Sequence, residues 1–272
     1  MIRAPAATHE SNRMMRRILA FALSLLGVDG ALHRSAAEEF ASGGVGITVE
    51  RFAPGAPGNR PAVILLHGAD GPGSRYRAAA REVAAGGYNV FLVHYLNRTG
   101  QSRASYSTIH QNLPVWTSTV RDAIGYVSQQ PGVDARRIGL LGVSLGGGLA
   151  LATAQQDSRV RAVVDYFGFV PRGFGSGRLP PTLVLHGASD PIVPVSNAYD
   201  LQGILRARGV PHEVQIYPGQ GHGFTGAAEA DASGRINGFF ARYLGGRAAP
   251  AGRSAIRSEG RSPASSRAGR GS

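Results

Sequence analysis

Cysteine is missing from all 272 residues. Its absence excludes a disulfide scaffold, a thiolate nucleophile and a cysteine-ligated metal, and it leaves the redox compartment open. Metal-binding spacing is missing as well. No His/Asp/Glu cluster follows the zincin pattern or a similar one, so neither a metal nor any other cofactor is expected. The greasy run near the start, residues 18–28, is too short to span a bilayer, and stable membrane insertion is not expected. No internal repeat stands out along the chain.

A formal charge of +12 invites a nucleic-acid reading, but its distribution argues against one. Residues 247–272 hold six Arg against Glu259, for +5, and the first 34 residues hold five Arg against Glu10 and Asp29, for +3. The long stretch between carries only +4, with its arginines scattered. A basic tail can adhere to anionic surfaces, yet it does not make a nucleic-acid-binding domain. The match Gly221-His222-Gly223-Phe224-Thr225-Gly226 to the dinucleotide fingerprint lies near the end of the domain. No strand is expected after it, so the required βαβ unit is lacking.

What is present begins with a leader-like start. Met14-Met15-Arg16-Arg17, the apolar run and the small residues Ser35-Ala36-Ala37 have the order of a secretory signal peptide, with translation starting at Met14 or Met15. Residues 1–37 are therefore read as a signal peptide or N-terminal extension, 38–246 as the folded domain and 247–272 as a disordered basic tail. Periplasmic or secreted localisation follows; an N-terminal helix packed on a cytoplasmic domain is the alternative.

Within the domain, apolar runs alternate with helical patterns. Strands are expected at 45–52 (an edge strand), 62–66, 89–94, 137–141, 160–166, 182–186 and 212–217. Helices are expected at 75–85, 114–130, 149–156, 195–208 and 235–244. Such alternation calls for a mostly parallel, twisted sheet covered by helices on both faces.

One stretch carries chemistry. Arg137 to Leu141 reads as a strand, and Gly142-Val143-Ser144-Leu145-Gly146 follows as a sharp turn into a helix. That is the context in which Gly-x-Ser-x-Gly forms a nucleophile elbow, although the motif alone is common by chance. A serine needs a base, an acid to orient the base, and oxyanion donors. In parallel sheets these come from loops at the carboxyl ends of strands. Asp190 and His222 lie on such loops in the order Ser, Asp, His; Asp165, still inside an apolar run, is the competing acid. His67, His94 and His186 each end a strand, where a satisfied structural histidine is the commoner outcome. The N–H groups of Leu145 and Ala69 are the expected oxyanion donors, with Gly68 second to Ala69. Tyr95, Trp116 and Phe167 are able to line an acyl site, though core packing is the more frequent fate of such residues.

Gly142-Val143-Ser144-Leu145-Gly146-Gly147, His186-Gly-Ala-Ser-Asp190-Pro and Gly221-His222-Gly-Phe224, with Pro131-Gly-Val-Asp134 leading into Arg137, resemble the dienelactone hydrolase family of α/β-hydrolases. The resemblance covers roughly residues 45–245. It implies one domain without a large cap, hydrolysing esters or lactones through Ser144, His222 and Asp190. The founding enzymes use cysteine in the elbow and a glutamate on the loop held here by His67-Gly68-Ala69, so this chain resembles the serine-bearing members. Arg98 resembles the first of two arginines that hold a substrate carboxylate; at the second position stands Gly226. Arg98, Gly68 and Phe167 are accordingly the expected substrate contacts. A small serine peptidase and a non-catalytic binding protein of the same fold are the rival readings. Oligomeric state and substrate identity are not legible.

Overall fold

The computed structural model describes residues 33–34, 37–54 and 58–245. The expected leader, apart from residues 33–34 and 37, and the whole tail 247–272 lie outside the described residues. Nine strands among the described residues form one sheet. The antiparallel margin comprises β1 (His33–Arg34), β2 (Glu38–Ser42) and β3 (Val45–Ala53). The parallel body comprises β4 (Arg60–Leu66), β5 (Asn89–Val93), β6 (Val133–Val143), β7 (Val160–Tyr166), β8 (Thr182–Gly187) and β9 (His212–Tyr217). Its spatial order is β5-β4-β6-β7-β8-β9, with β3 pairing antiparallel to β5.

Among the described residues, five helices cover the faces: α1 (Ser74–Ala85), α2 (Ile109–Ser128), α3 (Leu145–Ala154), α4 (Ser196–Ala207) and α5 (Ala227–Leu244). Side-chain alternation along the strands decides which helices each residue meets. Ala62, Ile64 and Leu66 of β4 pack with Trp116, Val120 and Ile124 of α2 and with α3 and α4. Val63 and Leu65 pack on the opposite face with Val83 of α1 and with Ile236, Phe239 and Phe240 of α5. Each large apolar side chain buried this way contributes about 1.5–3 kcal/mol, which is why the strands read as unbroken apolar runs.

Three expectations need correction. Strand β3 is not an edge, because β2 pairs with it on the side away from β5. Strand β2 had no signal in Glu38-Glu39, and its inward residues are Phe40, stacked 5.3 Å from Tyr126, and Ser42, which donates to Asp122 Oδ2 at 2.7 Å. Helices α2 and α5 begin five and eight residues before the expected starts at 114 and 235. Pro114 looked like a first helical residue but lies inside α2, where the buried Ile109 ties down the turn before it. The first two turns of α5, Ala227-Ala-Glu-Ala-Asp-Ala-Ser-Gly234, carry no large apolar residue and so no helical periodicity.

Candidate active site

Strand β6 ends at Val143 and α3 begins at Leu145, so the whole reversal falls on Ser144. Its backbone sits at φ 56°, ψ −116°, a region costly for any residue with a Cβ. The flanking glycines allow this. A Cβ at Gly142 would lie 2.1 Å from the Gly146 carbonyl oxygen, and one at Gly146 would lie 2.1 Å from the Leu66 carbonyl oxygen. Both obstacles are backbone and cannot swing aside. Gly146→Ala is therefore expected to cost at least about 3 kcal/mol. Thermal unfolding checks this, and an unchanged midpoint would mean that β4 and α3 are not so closely apposed.

The strained turn lifts the Ser144 hydroxyl to His222, whose Nε2 lies 2.8 Å from Oγ. The other ring nitrogen, Nδ1, lies 2.7 Å from Asp190 Oδ2. Asp190 is itself fixed, since its Oδ1 accepts from the N–H groups of Ile192 (2.8 Å) and Val193 (2.9 Å). Carboxylate, imidazole and hydroxyl thus form one chain, brought together from the ends of β8, β9 and β6. Phe167, in the left-handed region at φ 44°, lays its ring 4.5 Å from that of His222.

Asp165, the competing acid, is fully buried and accepts from the Gly168 N–H at 3.0 Å instead of meeting His222. Burial pushes its carboxyl up to about 7. A folded-state value above the ordinary 3.8 means that the folded protein keeps a proton which the unfolded chain releases. Stability from this group is present below about pH 4 and is lost as pH rises towards 7. Asp165→Asn preserves an acceptor for Gly168 and removes that loss. The variant is expected to gain about 4 kcal/mol over the parent at pH 8 relative to pH 4, at about 1.4 kcal/mol per pKa unit. Urea unfolding at the two pH values measures it, and a gain independent of pH would contradict the buried-acid account.

The loop after β4 faces the elbow. Gly68 donates its N–H to the Tyr76 hydroxyl at 2.8 Å, and that hydroxyl donates to Asp70 Oδ1 at 2.6 Å. Arg75 closes the network with bonds to Asp70 Oδ2 (2.6 Å) and the Tyr76 oxygen (2.9 Å). The Gly68 donor is therefore spent, whereas the Ala69 N–H meets no acceptor among the described residues. Leu145 opens α3, where the first N–H groups have no partner within the helix. Ala69 and Leu145 both border the space beside Ser144. His67 is sealed beneath the loop, stacked 4.4 Å from Tyr95, and burial lowers it to about 4.

Two cavities meet at Ser144. The larger, about 490 Å³, opens between α1 and α5 and includes Tyr76, Tyr166, Phe167, His222 and Phe224. The smaller, about 220 Å³, is bordered by Ile109, His110, Phe169, Ile192 and Val193. Tyr106 borders both.

Residues 48–238 match the model of the dienelactone hydrolase family, which is most of the chain. The chain belongs to the dienelactone hydrolase family. A provisionally assigned carboxymethylenebutenolidase of Yersinia pestis is 23% identical over 187 residues, covering 62% of this chain and 70% of that protein. Mitochondrial acyl-coenzyme A thioesterase 2 of Mus musculus is 34% identical over 119 residues, 44% of this chain but only 24% of the thioesterase. Among solved structures, a dienelactone hydrolase-like promiscuous phosphotriesterase from metagenomic libraries superposes with a TM-score of 0.71 at 19% identity. That superposition covers 79% of this chain and all of the phosphotriesterase. The α/β-hydrolase fold follows, and the chain is a hydrolase of this family.

Set against the family pattern, the expected substrate contacts separate. Phe167 borders the larger cavity. Arg98 borders neither: it closes a 3₁₀ turn (Tyr95–Thr99) and lays its guanidinium on Gly43, so close that a Cβ there would touch it at 2.0 Å. Gly68 borders neither as well, its place being a close approach to Tyr76 and Ser144. Arg98 and Gly68 are therefore not placed as substrate contacts. Tyr95 and Trp116 are core residues, both without exposure; the Tyr95 hydroxyl donates to the His67 carbonyl at 2.8 Å. The sequence reading missed Tyr76, an ordinary helical tyrosine by pattern, and Tyr106, on a stretch without periodicity. It also missed the α1–α5 opening, whose signal was the run of small residues in α5.

Proposed function

We propose that the protein is a serine hydrolase that cleaves carboxylic esters or lactones through an acyl-enzyme. The observation that carries this reading is the continuous hydrogen-bond chain from Asp190 through His222 to Ser144 at a strained elbow. His222 takes the hydroxyl proton as Ser144 attacks the acyl carbon, and Asp190 holds the imidazolium with Nδ1–H towards its Oδ2. The Leu145 and Ala69 N–H groups hold the oxyanion, a contribution worth about 3 kcal/mol per donor in related chemistry. His222 then returns its proton to the leaving oxygen, and water, activated by the same imidazole, frees Ser144.

No cofactor enters this scheme. Thioesters are attacked by the same steps, and the thioesterase relative favours including them as an alternative leaving group. Short peptides follow the same route with an amine leaving group. A pre-steady-state burst with p-nitrophenyl acetate tests the acyl-enzyme. One equivalent of p-nitrophenol released ahead of slower turnover supports it; turnover that resists phosphonylation of Ser144 opposes it. Export to the periplasm or beyond is proposed from the leader-like start alone.

A further inference from the structure

The larger cavity is not confined to the strand ends. It descends from Ser144 between two helices, and its walls are Ala78, Ala79 and Val83 on α1 and Ser233 and Ile236 on α5. Short side chains on the facing surfaces leave the space between the helices unfilled. The floor is Leu65, Leu141 and Val143, the last inward residues of β4 and β6, with Tyr166 from β7. Asn237, beside Gly86 at the end of α1, lies at the foot. From Arg75 to Val83 the groove follows eight residues of helix, about 12 Å. An extended alkyl chain advances about 1.3 Å per carbon, so that length takes roughly nine carbons.

Charge limits what can enter. Glu82 of α1 and Glu229 of α5 stand exposed on the two rims, and neither forms an ion pair among the described residues. Both reach the field of Tyr166: burial chiefly raises its hydroxyl, and Glu229, Tyr217 and Glu82 add to that. Arg75, the lone arginine bordering the groove, is already paired with Asp70.

Resting on the hydrolase reading of Ser144, we propose that this groove is the specificity subsite, taking one uncharged, apolar arm of the ester, roughly nine carbons long. The other arm is compact and occupies the smaller cavity. Glu82 and Glu229 turn away chains that end in a carboxylate. The enzyme is thus selective for neutral medium-chain esters over the small anionic lactones suggested by the family's name.

Two ester series test this in the full-length protein. One varies the acyl group of p-nitrophenyl esters from acetate to tetradecanoate; the other varies the alcohol of acetate esters over the same lengths. In one series kcat/KM should climb roughly fivefold per two carbons, less than full burial of two methylenes allows, and level off near nine. The series that climbs identifies the arm. Ala79→Trp, with Ala79→Val as a milder form should the first not fold, should lower the ratio of long-chain to short-chain kcat/KM at least tenfold and twofold respectively. A nonanedioic monoester should be cleaved several-fold more slowly than the neutral ester of equal length, and Glu82→Gln with Glu229→Gln should narrow that gap. Flat profiles in both series, or length dependence unaffected by either Ala79 variant, would overturn the proposal. If p-nitrophenyl acetate is cleaved through Ser144 while these profiles are flat, the groove assignment alone fails. No cleavage of any ester would overturn the hydrolase reading as well.

Discussion

Ser144→Ala is expected to lower kcat for p-nitrophenyl acetate by about 10⁶-fold, to a residue supplied by binding and the oxyanion donors. The size follows from the chemistry. The nucleophile is deleted outright, and the nearest groups cannot replace it: the His222 imidazole is held between Asp190 and the elbow, and no cysteine exists in the chain. Folding should survive, because Ser144 is only half-buried and the alanine Cβ occupies the position of the serine Cβ. The strain at φ 56° is shared by parent and variant. Circular dichroism and the unfolding midpoint check the fold, and product release checks the rate. Retained turnover in folded protein would place the nucleophile elsewhere.

Asp190→Asn should lower kcat by about 10⁴-fold, with KM changed little. The reason is visible in how Asp190 is held. Its Oδ1 accepts from two backbone N–H groups, so the amide oxygen of asparagine must take that place. The amide NH₂ is then forced towards His222 Nδ1, which can only accept from it. The proton moves to Nε2, and the ring presents a donor to Ser144 where an acceptor is required. Asp165→Asn is the informative contrast. Its carboxyl contacts Gly168 and the backbone of α3 instead of His222, so it should leave kcat within a few-fold while altering stability with pH. Equal losses from both exchanges would mean that Asp165 also governs the imidazole.

Much of this arrangement was legible before any coordinates. Strands β4, β5, β7, β8 and the second half of β6 are largely buried on both faces, which leaves a nearly unbroken apolar signature, whereas β9 at the margin is half-buried; the pattern places each of the six within a few residues of its observed bounds. The choice of Ser144, Asp190 and His222 rests on loop position at strand ends, and the topology puts those ends on one rim of the sheet, with β7 between β6 and the adjacent pair β8 and β9. Elements held by tertiary contact were less legible. β2 is a strand because Phe40 and Ser42 find partners on α2, which their local sequence does not announce. The first half of α5 is helical although it buries little, and the same poverty of large side chains opens the groove. Arg98 shows the limit of carrying a motif across: its loop position matches the family, but its guanidinium lies against Gly43 and borders neither cavity.

The most direct measurement of the central claim is covalent labelling of the native protein with a fluorophosphonate, followed by peptide mass mapping. One phosphonyl group per chain on the peptide containing Ser144, with labelling slowed by at least about 10³-fold in His222→Ala, is the predicted result. Folded protein that remains unlabelled, or that carries the adduct on a residue other than Ser144, would contradict it.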